Sequence, residues 1–310
     1  MDHLISLKEW SPEKIRGVLG LAKDVKVNPE KYSTAMDRKT LLMIFEKPSL
    51  RTRLSFEAGM TQMGGHAIYY NTSTSPMGSG KETISDSIKT ASRFIDVIMA
   101  RLFKHEDLLE MADFATVPVI NALTDDSHPC QILADLQAIE EKKGSLAGLK
   151  LAYLGDGFNN VTHSLMYGGT KMGLHVSVGS PAGADYSPRS DVLTDCEAFA
   201  KESGGSVLVT DDPVEAIKDA DVVYTDSWMS YHIPKDQEEA RIQKFMPYQV
   251  NAALMAHAKP DAIFMNCLPA NRGCEQTAEV IDGPQSIVFD EAENRLHAQK
   301  AVILTLCGAV

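Results

Sequence analysis

The sequence predicts an α/β protein of two domains, each with a central parallel sheet flanked by helices, and a C-terminal helix packing back on the first domain. Three observations predict it. Short apolar runs alternate with helix-like stretches through the 310 residues, the chain breaks once in the polar, glycine-bearing stretch EKKGSLAGLK (141–150), and the unusual polar residues gather just after the apolar runs. Alternation of this kind builds βα units and parallel sheets. Such sheets bind ligands beyond the C-terminal ends of their strands.

In chain order the predicted strands cover 41–45, 97–100, 117–121, 149–154, 175–178, 206–210, 221–225, 262–265 and 286–289. Each run is rich in branched or aromatic residues and is followed by a polar or Gly/Pro break. A long helix from Pro129 ends in charge and glycine at the break, and a new strand begins at Leu149. The boundaries that follow are 1–145 for the first domain, completed by residues 291–310, and 146–290 for the second.

With 44% apolar and 23% charged residues, the composition is that of an ordinary soluble globular protein. A net charge of −12 argues against nucleic-acid and acidic-membrane partners, so an anionic ligand needs a local gathering of basic residues. Five cysteines without CxxC spacing predict reduced thiols in a cytosolic compartment. The N-terminal MDHLISLKEW has no signal pattern, and no apolar run approaches membrane-spanning length. The expectation is a soluble cytoplasmic protein.

The strand ends carry the chemistry. In FEKPSLRTRLSFEAG (45–59), Pro48 ends the extended segment and Ser49 suits an N-cap, placing Leu50, Arg51 and Thr52 in the first helical turn. Unpaired N–H groups, the helix dipole, two hydroxyls and a guanidinium there suit a phosphate, although a plain capped helix with a solvated face fits as well. Arg101 closes the run DVIMAR, where an isolated arginine would ordinarily be solvated. In SHPCQ (127–131) Pro129 suits the first helical position, leaving His128 at the cap and Gln131 one turn in. His128 is either a structural cap or a donor to a carbonyl or phosphate oxygen.

The stretch LGDGFNNVTHS (154–164) is similar to a dinucleotide glycine loop, but Asn160 takes the third glycine's place. The next strand, HVSVGSPAG, also ends without an acid, which disfavours an NAD-dependent dehydrogenase. Asn160 reads better as a polar group at a helix start. Asp226 follows a buried run, with Ser230 one turn on; the carboxylate can hold an ammonium or cap a loop. Cys267 in NCLP sits at a strand mouth, where a thiol is ordinarily a small buried hydrophobe. Arg295, in an acidic helix start, reads in isolation as a surface arginine. Together these groups suit an anion on the first domain and an amine on the second, with chemistry in a cleft.

These motifs, in this order, identify the chain as resembling the aspartate/ornithine carbamoyltransferase family, its ornithine branch in particular, over essentially its whole length. SLRTR is similar to that family's Ser-Thr-Arg-Thr-Arg, HPCQ to His-Pro-x-Gln, DSWMS to Asp-x-x-x-Ser, NCLP to His-Cys-Leu-Pro, and ENR to its C-terminal arginine motif. The resemblance implies carbamoyl transfer from carbamoyl phosphate to the side-chain amine of L-ornithine, giving L-citrulline and phosphate in arginine metabolism. It implies a carbamoyl-phosphate domain, an amino-acid domain, a homotrimer, and no metal or organic cofactor. By the same resemblance Arg101, His128 and Cys267 would be the catalytic groups. Ser49, Leu50, Arg51, Thr52, Arg101, His128, Gln131 and Arg295 would hold carbamoyl phosphate. Asn160, Asp226, Ser230, Tyr231, Cys267 and Leu268 would hold ornithine.

Four places depart from the family pattern. Leu50 replaces a threonine, a mild change if that residue offers mainly its backbone N–H. Pro76 stands where a glutamine reaching a neighbouring subunit is usual, and SPMGSGKET is similar to the lysine loop of aspartate carbamoyltransferases, so Ser79 or Lys81 would reach across instead. Ser230-Tyr231-His232 replaces Ser-Met-Gly, and Asn266 replaces a histidine with a neutral amide that carries no proton. The last two touch the amine side, leaving putrescine or an N-acylornithine as alternative acceptors. A non-catalytic family member is the reading from another class.

Overall fold

Nearly all the apolar runs become strands of two parallel sheets in a computed structural model, which describes residues 1–229 and 233–310. In chain order the elements are α1 (Pro12–Val27), β1 (Thr40–Phe45), α2 (Leu50–Gln62), β2 (His66–Asn71), α3 (Ile84–Ala91), β3 (Val97–Arg101), α4 (His105–Phe114), β4 (Val119–Leu123) and α5 (Pro129–Lys143). Then follow β5 (Lys150–Leu154), α6 (Asn160–Lys171), β6 (His175–Gly179), α7 (Ser190–Ser203), β7 (Ser206–Thr210), α8 (Pro213–Ile217) and β8 (Val222–Tyr224). The last are α9 (Glu238–Phe245), α10 (Ala252–Met255), β9 (Ile263–Met265), α11 (Ala278–Ile281) and α12 (Val288–Leu306). The chain divides into one unit of Met1–Gln137 with Glu293–Val310 and a second of Ala138–Ala292.

The first unit carries the sheet β2-β1-β3-β4, every neighbouring pair parallel. Strands covered on both faces read as continuous apolar runs, and β3 and β4 are buried throughout. Strand β2 was not among the predicted runs. It lies at the sheet's edge with no fully buried residue, and its short apolar stretch AIYY is flanked by polar His66 and Asn71. Strand β4 starts two residues later than expected, after Pro118, which has no N–H to give the ladder but accepts from Ile98 N (2.9 Å). The outer edge of β4 is covered by the N-terminal segment: Leu4 N donates to Val119 O (2.9 Å), and Asn121 N donates to Leu4 O (2.7 Å). From residue 293 onward, α12 packs on this unit, as expected of the last helix. Gln299 Nε2 donates to Ser55 Oγ (2.7 Å), and Gly59 lets the stem of Lys300 approach α2.

The second unit carries the sheet β7-β6-β5-β8-β9, again all parallel. Its core joins Ala152, Leu154, Val223 and Phe264 from the sheet to Ile217, Leu254 and Ile281 from helices. The predicted strand at 286–289 is corrected: only Ser286 bridges Phe264, and the chain enters α12 at Val288. A short run of three apolar residues after Ser286 fits a strand or a helix end. Here Asp290 and Glu291 favour a helix N-terminus, and Phe289 is 72% exposed. Strand order reverses between β1 and β3 in one sheet and between β5 and β8 in the other. Those reversals open crevices at the strands' C-terminal ends, which is where the singled-out residues fall. No helix among the described residues is long and apolar enough to cross a membrane.

Candidate active site

On the first unit, the turn from β1 into α2 is built as the sequence suggests. Ser49 is extended, its Oγ accepts from Thr52 N (3.2 Å), and the two hydroxyls lie 3.0 Å apart. Leu50 is 70% exposed, so its side chain contributes little here and its backbone remains the useful part. Arg51 is half-buried on the same turn. Helix N-termini present N–H groups and positive potential to an anion.

Arg101 ends β3 at an irregularity: the pairing with β4 slips between Ala100 and Arg101, so Arg101 lies opposite Leu123. Bulges of this type re-aim a side chain. Far from being solvated, Arg101 is buried, as are His128, Gln131 and Thr52. Arg295 is also not a surface residue, being only 2% exposed. Its Nη1 donates to Gln131 Oε1 (2.6 Å), Nη2 to Thr52 Oγ1 (3.3 Å) and Nε to Gln299 Oε1 (2.9 Å). Gln131 Nε2 in turn donates to Asp135 Oδ1 (2.8 Å). The Arg295 guanidinium fixes all three of its partners, a geometry lysine does not reproduce.

Lys47 is a residue that sequence reasoning passed over. It is buried, with its ammonium 4.6 Å from the Phe103 ring centroid. Burial, and then the Arg101 guanidinium, push its amine down to about 8. The signal was available: a cation directly between the end of an apolar run and a helix cap. His128 is held well below the ordinary histidine range by burial first, then by Arg295, Arg101, Lys47 and Arg51. At neutral pH it is therefore an uncharged imidazole able to donate one hydrogen bond. Cations crowded in this way favour an anion and can polarise a carbonyl. Ser79 and Lys81 stand exposed on a local turn, Ser79 Oγ donating to Pro76 O (3.0 Å).

On the second unit the character is opposite. Asp226 follows β8 and accepts from Cys267 Sγ (3.1 Å), which follows β9. Asn160 opens α6, half-buried, behind Asn159, whose Oδ1 accepts from Thr162 N (2.8 Å). Two buried acids stand near Asp226. Burial raises the Glu275 carboxyl, and it pushes Asp156 up to about 7 against the pull of Arg241, with Asp226 adding to both. Such a group of acids suits an ammonium. Ser230, Tyr231 and His232 lie outside the described residues.

Asn266 turns inward, into the loop after β9. It is fully buried: its Nδ2 donates to Gln276 Oε1 (3.1 Å) and its Oδ1 accepts from Leu268 N (2.8 Å). Its backbone N–H donates to Glu291 Oε2 (3.1 Å), while Tyr224 Oη donates to Oε1 of the same carboxylate (3.1 Å). The amide thus holds the turn that presents Cys267 and half-buried Leu268, the latter in the left-handed region at φ 56°. Asn266→Ala is expected to cost about 1–3 kcal/mol by leaving the buried Gln276 Oε1 and the partly buried Leu268 N–H without their partner. Urea unfolding of the two proteins measures it, and equal midpoints would contradict the role.

Residues 2–141 match the family model described as "Aspartate/ornithine carbamoyltransferase, carbamoyl-P binding domain", and residues 147–306 match its "Asp/Orn binding domain". The ornithine carbamoyltransferase of Pyrococcus abyssi is 52% identical over 309 residues, covering 99% of this chain and 96% of that protein. The Bacillus subtilis ornithine carbamoyltransferase is 51% identical over 300 residues, 97% of this chain and 92% of its own. The solved structure of ornithine carbamoyltransferase from Pyrococcus furiosus superposes with a TM-score of 0.94 at 50% identity, covering 99% of this chain and 97% of that one. By matched domains, identity and fold alike, this chain belongs to the aspartate/ornithine carbamoyltransferase family.

Proposed function

We propose that the chain transfers a carbamoyl group from carbamoyl phosphate to the side-chain amine of L-ornithine, giving L-citrulline and phosphate. The observation that carries this reading is Arg295, buried and forked onto Gln131 and Thr52 in the cationic cluster that also acts on His128. Relatives about as similar as half the residues, named ornithine carbamoyltransferase, support ornithine as the acceptor.

In this reading the phosphate rests on Ser49, Arg51, Thr52, Arg295 and the backbone at Leu50. Arg101, His128 and Gln131 address the carbamoyl group, with Lys47 adding charge nearby. Attack by the amine turns the carbonyl into a tetrahedral oxyanion, and preorganised donors such as Arg101 and Thr52 are worth about 3–4 kcal/mol each to it. The intermediate collapses by expelling phosphate, whose charge the arginines neutralise. A free amine of this type has a pKa of about 10.4, so it must already be deprotonated when it attacks, and the departing phosphate is a suitable acceptor for the second proton, which the nitrogen gives up as the intermediate collapses. Asn160, Asp226, Ser230, Tyr231, Cys267 and Leu268 hold the amino acid, Cys267 orienting the amine without forming a covalent intermediate. The assembly is a homotrimer in the cytoplasm, with Ser79 or Lys81 of one subunit serving a neighbour's site.

The test supplies the purified protein with carbamoyl phosphate and, in turn, ornithine, putrescine and N-acetylornithine. Ureido product and phosphate should appear in equal amounts with ornithine. Turnover of another amine but not ornithine would overturn the acceptor, and silence with every amine would overturn the activity.

A further inference from the structure

Two side chains that touch none of the proposed substrate contacts tie together the loops carrying those contacts. Glu275 is buried, and its Oε1 accepts from Trp228 N (3.3 Å) while its Oε2 accepts from Asn271 N (3.0 Å). Trp228 lies two residues after Asp226, and Asn271 four residues after Cys267. One carboxylate therefore spans the loop after β8 and the loop after β9. Arg241, on α9, makes the matching span on the other side. Its Nε donates to Trp228 O (2.8 Å), and its Nη2 donates to Asp156 Oδ2 (2.5 Å) in the loop after β5. Asp156 is itself buried, and its Oδ1 and backbone O organise that loop by accepting from Phe158 N (3.1 Å) and from Asn159 Nδ2 (3.0 Å).

The peptide unit of Trp228 is thus gripped at both ends, its N–H by an acid and its carbonyl by a guanidinium. The buried indole is stacked on Phe245 (5.8 Å between centroids), and the same guanidinium lies over the Phe245 ring (4.9 Å to its centroid). Buried charges are a poor route to stability, since an apolar replacement of similar size is often neutral or better. Charged groups do supply directional bonds between loops that share no ladder. From the topology, the loops after β5 and β8 flank the strand-order reversal of the second sheet, and the loop after β9 lies next to that of β8.

We propose that Glu275 and Arg241 are positioning residues for the amine acceptor, setting the place of Asp226 relative to Asn160 and Cys267. The proposal rests on the reading of this chain as an ornithine carbamoyltransferase. A displacement of about 1 Å in a reacting group can cost a hundredfold, so the effect belongs in the acceptor's kinetics and not the donor's.

The experiment measures steady-state kinetics of the full-length wild type and of Glu275→Gln, Arg241→Met and Arg241→Lys, with both substrates varied and with thermal midpoints recorded. Glu275→Gln and Arg241→Met should raise the KM for ornithine roughly tenfold or more and leave the KM for carbamoyl phosphate within about twofold. Arg241→Lys keeps the charge opposite Asp156 but lacks the fork, and should fall between wild type and Arg241→Met. If Arg241→Met does not fold, Arg241→Lys and Glu275→Gln carry the same comparison. Lowered midpoints with both KM values unchanged, or with both raised equally, would show a merely structural role and overturn the proposal. A wild type inactive on ornithine would overturn the underlying function as well, so the two failures are told apart.

Discussion

Arg101→Leu is expected to lower kcat by about two to three powers of ten, the usual loss when one donor to a developing oxyanion is removed. The guanidinium is buried at the slipped end of β3, away from the water that would otherwise screen it. Leucine keeps much of the volume and removes the charge. Arg101→Lys should recover only part of the loss, because an ammonium lacks the planar fork. Rapid-quench measurement of citrulline at saturating substrates checks it, and a kcat within tenfold of wild type would remove Arg101 from the chemistry. The same substitution takes away a positive neighbour that holds both His128 and Lys47 down. Both groups should then titrate at higher pH than in the wild type.

Asp226→Asn should be nearly as severe, but on the other substrate. Its carboxylate accepts from the Cys267 thiol and stands among acids whose field favours a cation. Removing one charged partner of a hydrogen-bonded ion pair costs about 2–5 kcal/mol, which is a thirty- to several-thousand-fold loss in kcat/KM for ornithine. The KM for carbamoyl phosphate should stay within about twofold. A loss shared equally between the two substrates would mean that Asp226 shapes the fold and does not grip the amine.

How much of this was legible in the sequence depends on where each residue's partners lie. Interior parallel strands were readable because burial on both faces demands apolar runs, as in the first four residues of β3. Strand β2 escaped because its short apolar stretch sits between polar His66 and Asn71 on a half-exposed edge, and 286–289 misled because three apolar residues in a row also fit a helix start. Ser49 was readable as a cap because its partner is three residues away. Arg295 was not readable as a buried group, since Thr52 and Gln131 lie far back in the chain. Asn266 looked like a substituted acid–base group, and only its contacts with Gln276 and Leu268 reveal a turn-former. Glu275 and Arg241 carried no motif at all, because bridging loops is a property of positions in space.

One small feature of the fold bears on how the protein should be handled at the bench. The strand-like contact of Leu4 with β4 means that the first few residues are part of the sheet's border, whereas Val310 at the other terminus is 68% exposed. An open strand edge invites pairing with another molecule. A purification tag or fluorescent fusion placed just ahead of Leu4 would therefore tug at the strip that seals β4.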